Sequence, residues 1–209
     1  FLGSAYDADS DGEEGKYYVY SFDEIKDIEN IEKYFEIKPE GNWEKKIILI
    51  EKKEPNEDII KRLLKIRSKR NKPFFDDKTQ LDLNCLWISA LVTASEILPE
   101  KNYLNLAEEF FSKIEKKYIE DKIFHSYSKN IVFIEDYAFL INALNDLSDN
   151  TLNFRYKELS KKILKKAFDK FYLHDKNIFQ KSPKNNNDVF FTPVDIGDNT
   201  IPMVMLLCL

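Results

Sequence analysis

The sequence predicts an all-α fold of antiparallel helical hairpins, with a few short β-strands in the connections. Two observations lead to this prediction. In the second half of the chain, segments that are apolar on every side alternate with segments that carry a single apolar stripe at helical spacing. The composition also favours helix, because the 209 residues include only 5 Gly and 7 Pro. Alternating inner and outer helices are typical of a stacked array of αα-hairpins.

The first half of the chain predicts short strands and two helices. Strands are expected near 16–21 and 46–50, where β-branched and aromatic residues cluster. A short helix is expected over 22–35 and an amphipathic helix over 57–70. The basic residues of the second helix fit its solvent face, and the net charge of −5 argues against a nucleic-acid-binding protein.

The second half predicts two complete helical pairs and the start of a third. The expected segments are inner helices over 79–98 and 134–147, outer helices over 103–118 and 154–172, a third inner helix from about Asn199, and short strands near 178–181 and 189–192. The chain starts without Met and stops inside an apolar run, so we expect it to be a piece of a longer protein. Two pairs cannot close a ring, and the apolar edge left open would favour association with a second copy.

Acidic residues precede every inner helix: Asp76 and Asp77, Glu135 and Asp136, and Asp195 with Asp198. Asp77 and Asp136 are 59 residues apart, as are Asp136 and Asp195. In a repeating array the inner helices begin at the same end, so these carboxylates would converge on one mouth. The alternative is that each Asp only caps its own helix, where it suits the positive end of the dipole.

The motif Asp7-x-Asp9-x-Asp11-Gly12 is similar to the first half of a calcium-binding loop. Its twelfth position is Tyr18, however, where a calcium loop supplies a bidentate Glu. We therefore favour a turn in which glycines adopt unusual backbone angles, with Asp7 and Asp9 facing the mouth. Calcium binding is the alternative.

Four motifs occur here in the order and spacing of a known family: "SAYDADSDGEEGKYYVYSFDEI", "KRNKPFFDDK", "FHSY" and "FIEDYAFLI". They resemble the spermatogenesis-associated thioredoxin-like proteins. The resemblance implies a thioredoxin-like domain followed by an (α/α)6 toroid similar to six-hairpin glycosidases and N-acylglucosamine 2-epimerases. It implies that residues 1–209 are a partial (α/α)6 toroid, its middle-to-late part, without the thioredoxin-like domain and the first hairpins.

The sequence departs from the family pattern at two places. The family has a Ser-Trp-Asn-Gly stretch where this chain keeps Asn84 between replaced residues, among them Asp82 and Cys85. Near the C-terminus Asp198 matches, but Met and Leu replace the polar residues that follow. Loss of polar groups from the expected mouth favours a degenerate, non-catalytic member.

Sugar-processing toroids use carboxylates as general acid and base, with aromatic rings as platforms. We expect the catalytic residues to be Asp136, His125 and Asp77, and the substrate-binding residues to be Asp7, Asp9, Asp76, Asn84, Tyr137 and Asp198. Apolar neighbours should desolvate Asp136 and raise its pKa towards values suited to acid catalysis. The alternatives are that Asp136 caps its helix, that His125 is a loop histidine bonded to backbone, and that Tyr137 belongs to the core.

The expected function is a carbohydrate-binding or carbohydrate-processing toroid, glycosidase-like or epimerase-like if catalytic. The alternative is a non-catalytic scaffold that supports the thioredoxin-like domain. Expected partners are a sugar-like small molecule and the remainder of the chain's own protein, without nucleic acid, membrane, cofactor or metal. Two cysteines without a CxxC motif, and the lack of a signal peptide or a transmembrane stretch, predict a cytoplasmic protein.

Overall fold

The computed structural model describes residues 1–119, 122–126, 131–184 and Val194. Within these residues about half of the chain is helical and the strands are only two residues long, so the all-α prediction is confirmed only as a mostly α fold. The expected third inner helix near Asn199 and the strand at 189–192 lie outside the described residues. The contacts divide the chain into two compact units, Ala5–Asp76 and the chain from Asp77 onward together with Phe1–Ser4. We call them the hairpin unit and the helical unit.

The hairpin unit contains short elements joined by tight turns. These are β1 (Ala5–Tyr6), β2 (Asp9–Ser10), β3 (Glu13–Glu14), α1 (Phe22–Ile25), α2 (Ile31–Tyr34), α3 (Glu57–Arg67) and β4 (Phe75–Asp76). Strand β1 pairs antiparallel with β4, and β2 pairs antiparallel with β3. Helix α3 begins where the Asn56 side chain accepts a hydrogen bond from the Ile59 N–H at 3.0 Å. The unit has its own small core, which includes Tyr20, Ile25, Ile47, Ile59 and Leu63.

The helical unit contains the alternation that the sequence predicts. Its elements are α4 (Leu81–Ile97), α5 (Tyr103–Ile114), a π-helical turn (Glu115–Ile119), α6 (Ile134–Thr151), α7 (Phe154–Phe171), β5 (Tyr172–Leu173) and β6 (Ile178–Phe179). Helix α4 packs on α5 and on α6, and α6 packs on α7. Large apolar side chains of α6 are completely buried between these neighbours, among them Phe139, Leu140 and Leu144.

Two residues form the connection between α6 and α7, one ending the first helix and the other capping the second. Leu152 ends α6 in the left-handed conformation, with φ 56°. The side chain of Asn153 then accepts a hydrogen bond from the Arg155 N–H at 3.1 Å and so caps α7. The chain therefore reverses direction within two residues, which makes α6 and α7 an antiparallel hairpin.

Three predicted elements differ from the structure. The strands expected over 16–21 and 46–50 are reduced to isolated bridges, Tyr20 with Ile47 and Lys46 with Trp43. The helix expected over 22–35 is interrupted between α1 and α2, where Asn30 takes a left-handed conformation with φ 64°. Trp87 belongs to the segment 79–98, which is apolar on every side in sequence, yet its side chain is 38 % exposed. An apolar composition on every side of α4 did not reveal which of its faces lies towards solvent.

None of the helices in the described part of the chain is long and apolar enough to cross a membrane.

Candidate active site at the start of the inner helices

His125 is held by its backbone against the start of α4. Its carbonyl accepts a hydrogen bond from the Leu81 N–H at 2.9 Å, and its own N–H donates to the Ile131 carbonyl at 2.8 Å. The neighbouring residue Ser126 forms an isolated antiparallel bridge with Gln80, which is the N-cap of α4. Hydrogen bonds of the backbone N–H and carbonyl of His125 therefore fix the position from which its imidazole extends.

The imidazole of His125 lies against a buried carboxylate. Its Nδ1 is 2.9 Å from Oδ1 of Asp136, a residue in the first turn of α6 with 0 % exposure. The second oxygen of Asp136 accepts a hydrogen bond from the Phe133 N–H at 2.8 Å. Asp136 therefore caps its helix and also orients His125, while its expected role as a catalytic acid stays a prediction.

The other imidazole nitrogen faces a side-chain amide. Nε2 of His125 is 3.0 Å from Nε2 of Gln80, and Oε1 of Gln80 accepts a hydrogen bond from the Ser4 hydroxyl at 3.1 Å. In neutral His125 this network assigns the proton to Nδ1, where it is donated to Asp136, and leaves the lone pair of Nε2 to accept from Gln80. The imidazole side chain is 18 % exposed.

A second carboxylate adds to the negative field at His125. Oδ1 of Asp82, in the first turn of α4, lies 3.8 Å from Nδ1 of His125. The first turns of α4 and α6 thus meet at one histidine, so these inner helices begin at the same end of the layer. Acids from two helices therefore meet at His125, but the acid from α4 is Asp82, whereas the hairpin repeat predicts that Asp77 joins Asp136.

The pKa of His125 is raised above its ordinary value of 6.5. The hydrogen bond to Asp136 is the largest cause, burial opposes it, and the charges of Asp136, Asp82 and Glu135 add to it. Burial raises the pKa of Asp136, and the hydrogen bonds from His125 and Phe133 hold the rise back. The imidazole and the carboxylate are therefore two titratable groups in hydrogen-bond contact whose pKa values are both raised.

Cys85 lies about one turn after Asp82 on α4 and is completely buried. Burial raises the pKa of its thiol well above the ordinary value, and the charges of Asp136 and Asp82 raise it further. The thiol therefore stays protonated and does not act as a nucleophile.

Asp82, His125 and Asp136 are the side chains that could hold a metal ion in the described part of the chain. One ligand atom from each lies within 4.8 Å of the other two. Nδ1 of His125 faces both carboxylates, so a cation there would displace the proton that Nδ1 donates to Asp136. Carboxylate oxygens and imidazole nitrogen suit a divalent transition metal better than calcium.

Two predicted site residues of the helical unit are used to build structure. Asn84 is 1 % exposed, and its amide exchanges hydrogen bonds with the backbone of Leu2 at 2.9 and 3.3 Å and donates to the Gln80 carbonyl at 2.7 Å. Tyr137 is 1 % exposed, with its ring against Phe171. Neither side chain offers a free surface to a sugar, which corrects the expectation that both bind substrate.

The third catalytic candidate, Asp77, is exposed and precedes the N-cap Gln80 by three residues. The acid that approaches His125 from α4 is Asp82 instead. The shift arises because α4 begins at Leu81, so its first turn holds Asp82 rather than Asp77.

Three of the remaining candidates belong to the other unit. Asp7, Asp9 and Asp76 belong to the hairpin unit, where Asp7 accepts a hydrogen bond from the Asp9 N–H at 3.0 Å and Asp76 pairs with Ala5. Asp198 lies outside the described residues.

The acidic motif at 7–12 is a tight hairpin. Strands β2 and β3 are joined by Asp11 and Gly12, both with positive φ, 53° and 76°. Asp-Gly is a favoured pair for such a turn. Oδ1 of Asp11 already accepts a hydrogen bond from the Asn71 amide at 2.9 Å. The turn interpretation is therefore confirmed, and among the described residues these acids do not gather as a ligand set.

Sequence reasoning missed Gln80 and Asp82 as neighbours of His125. A signal was present, because "TQLD" places a polar N-cap and an acid just before an apolar run. Neither residue points to histidine by itself, since the contact joins segments about 45 positions apart.

No protein-family model matches the chain. A comparison with curated proteins also gives no match.

Proposed function

We propose that this chain is part of an (α/α)6 toroid similar to that of the spermatogenesis-associated thioredoxin-like proteins, and that it performs acid–base chemistry on a sugar. His125 is the proton-transferring group and Asp136 is its positioning residue. The motif resemblance supports the fold and the substrate class. The site geometry supports the type of chemistry.

One observation carries the chemical part of the proposal: a partly exposed imidazole is bonded to a fully buried carboxylate at 2.9 Å. A carboxylate behind Nδ1 fixes the tautomer and stabilises the imidazolium that forms when Nε2 takes a proton. Nε2 of His125 is therefore the atom that reacts with substrate. Gln80 occupies its hydrogen-bonding direction, so the Gln80 side chain must turn aside when a sugar binds.

The geometry favours epimerase-like over glycosidase-like chemistry. Retaining glycosidases hold two carboxyl groups about 5–5.5 Å apart and inverting ones about 6.5–9.5 Å apart, with the glycosidic bond between them. Here the oxygens of Asp82 and Asp136 are within 4.8 Å and both face His125. Nδ1 of His125 lies 2.9 Å from Asp136 and 3.8 Å from Asp82, so both carboxylates act on the imidazole, which favours proton transfer by His125.

A solvent-exchange experiment tests the proposal. We expect the chain to catalyse incorporation of deuterium from D2O at the carbon next to the anomeric carbon of an open-chain sugar, followed by proton NMR. N-acetylglucosamine, N-acetylmannosamine, glucose and mannose are the probes. His125→Gln should reduce the rate by about 10²-fold or more, because it removes the general base.

The chain offers a matched control. It has only two histidines, and the second, His174, is exposed in the turn between β5 and β6. His174→Gln should leave the exchange rate unchanged. If none of the four sugars exchanges, or if His125→Gln exchanges as fast as the unmodified chain, acid–base chemistry at His125 is refuted.

A non-catalytic scaffold is the second candidate, and the hydrogen bonds of Gln80 and Asn84 favour it. Ser4 donates to the Gln80 side chain, and Asn84 holds the backbone of Leu2. The polar side chains at the start of α4 thus form hydrogen bonds with the first residues of the chain and are not free to bind a substrate. A scaffold predicts that His125→Gln lowers the melting temperature while no sugar raises it or exchanges.

The partner expectations remain proposals as well. They are a sugar-like small molecule, the thioredoxin-like domain of the same protein, and a second copy bound through the open edge of the toroid. Light scattering of the 209-residue chain tests the last of these, with a dimer as the expected result.

A further inference from the structure

The hairpin unit contains a groove of its own, which the proposed chemistry at His125 does not use. It encloses about 630 Å³ and is formed by four separate segments, 10–16, 19–24, 43–46 and 69–71. Sites for small molecules commonly enclose 300–1,000 Å³. All of its lining residues belong to the hairpin unit.

Trp43 supplies an aromatic surface in this groove. The side chain is half-buried, and its ring lies over Gly15, where an added Cβ would be 3.5 Å from two ring atoms. The backbone of Trp43 exchanges hydrogen bonds with Lys46, at 3.1 Å for its N–H and 2.7 Å for its carbonyl. The indole is thus held by a short turn and supported by the backbone of another segment.

Charged groups of both signs surround the indole in nearly equal number. The lining includes five carboxylates and four cations. Lys16 pairs with Glu13 at 3.1 Å and with Asp11 at 3.6 Å. A strongly charged ligand would meet repulsion as well as attraction, so the groove suits a neutral ligand that both donates and accepts hydrogen bonds.

Arg70 fixes the wall of the groove. Its guanidinium donates to backbone carbonyls of Lys16, Tyr17 and Val19 and pairs with Glu24 at 2.9 Å. These bonds tie segment 69–71 to the chain that follows the β2–β3 hairpin. The groove is therefore a built feature that exists before a ligand binds.

The turn that carries Trp43 has an unusual composition. Its two central residues, Glu44 and Lys45, have φ values of 46° and 62°. Such a turn normally uses Asn-Gly, because the left-handed conformation is less stable by about 1–2 kcal/mol for a residue with a Cβ. Glu44 therefore occupies a position that a glycine would fit with less strain, and its side chain lines the groove.

We propose that the Trp43 groove binds a mono- or disaccharide. The apolar C–H face of a sugar ring packs on the indole, while its hydroxyls exchange hydrogen bonds with Glu14, Glu44 and Asn71. A polyhydroxylated neutral molecule satisfies the aromatic surface and the mixed charges together, which neither a polyamine nor an anion does. The proposal uses residues of the hairpin unit alone, so it stands whether or not His125 acts on a sugar.

Intrinsic fluorescence tests the proposal, because the chain has only two tryptophans. In the Trp87→Phe variant of the 209-residue chain, Trp43 is the only indole. We expect a saturable change in its emission on titration with maltose, cellobiose or N,N′-diacetylchitobiose up to about 20 mM, a range that reveals low-millimolar dissociation constants. Spermidine and inorganic phosphate are the charged probes.

Glu44→Gly in the Trp87→Phe background separates binding from folding. Glycine accepts positive φ, so the turn stays at least as stable, while the lost carboxylate should weaken sugar binding by about tenfold. Trp43→Ala, followed by calorimetry, should abolish binding. The carbohydrate assignment is overturned if no disaccharide gives a saturable response, if only spermidine or phosphate does, or if Glu44→Gly and Trp43→Ala both bind sugar as tightly as the parent.

Discussion

Nδ1 of His125 lies 2.9 Å from Oδ1 of Asp136, and the carboxylate has 0 % exposure. A carboxylate so buried remains charged only with partners, and it has two, the imidazole of His125 and the Phe133 N–H. The pair therefore links the proton affinity of the partly exposed imidazole of His125 to the folding of α6.

Replacing Asp136 by Asn should lower the pKa of His125. The hydrogen bond to the carboxylate is the largest cause of the raised pKa, and an amide cannot supply the charge. Proton NMR of the histidine C–H resonances against pH measures the change, with the signals of His174 as the internal reference. Asp82→Asn should have a smaller effect, since its oxygen is 3.8 Å away. An equal response to both substitutions would contradict the dominance of Asp136.

The stability of the chain should fall as the pH rises through the folded pKa of His125. A folded pKa above the ordinary 6.5 means that protonated His125 favours the folded state. Its contribution to stability is therefore full below about pH 6.5 and is lost as the pH rises through the higher folded pKa. Asp136, Asp82 and Glu135 supply the charges that cause this. Urea unfolding between about pH 5.5 and 8.5 measures the slope. The His125→Gln variant should lack this component, and an unchanged slope would refute it.

Substitution of Lys45 by Gly should stabilise the hairpin unit by about 1 kcal/mol. Lys45 sits at φ 62°, where a Cβ is strained and glycine is not. The free energy of unfolding from urea titration gives the measure. Gly41→Ala is the opposing control, because its φ is 80° and a Cβ there would lie 2.5 Å from the Lys46 carbonyl oxygen. That variant should be destabilised, and a stabilised Gly41→Ala would contradict the left-handed conformation of Gly41 and its close approach to Lys46.

Tyr137→Phe should cost about 0.5–1.5 kcal/mol and Tyr137→Ala about 3–5 kcal/mol. The first change removes only the hydrogen bond that Lys170 donates to the phenol oxygen at 3.0 Å. The second also opens a cavity beside Phe171. Burial raises the pKa of Tyr137 to about 12, so the phenol stays neutral. Thermal unfolding of both variants checks the ranking. If Tyr137→Phe instead removes sugar exchange without loss of stability, Tyr137 belongs to the site.

The helices of the second half were predictable because their signal is local. The segments expected over 79–98 and 154–172 are observed as Leu81–Ile97 and Phe154–Phe171. Apolar spacing and a capping Asn153 act within one or two turns, so the sequence carries them directly. The strand expected over 16–21 failed for the opposite reason. A strand needs a hydrogen-bonded partner, and only Tyr20 finds one, in Ile47.

What the sequence by itself determined is the mostly α class, the order of the four long helices α4 to α7, and an acid at the start of α6. The tertiary structure decided the rest. It brought Asp82 rather than Asp77 to His125, turned Trp87 to solvent, and joined Trp43 to Arg70 around one groove. Periodicity and capping depend on neighbours a few residues away, whereas these contacts depend on how distant segments pack. Such packing depends on the interactions of the whole chain together, so no local pattern in the sequence reveals it.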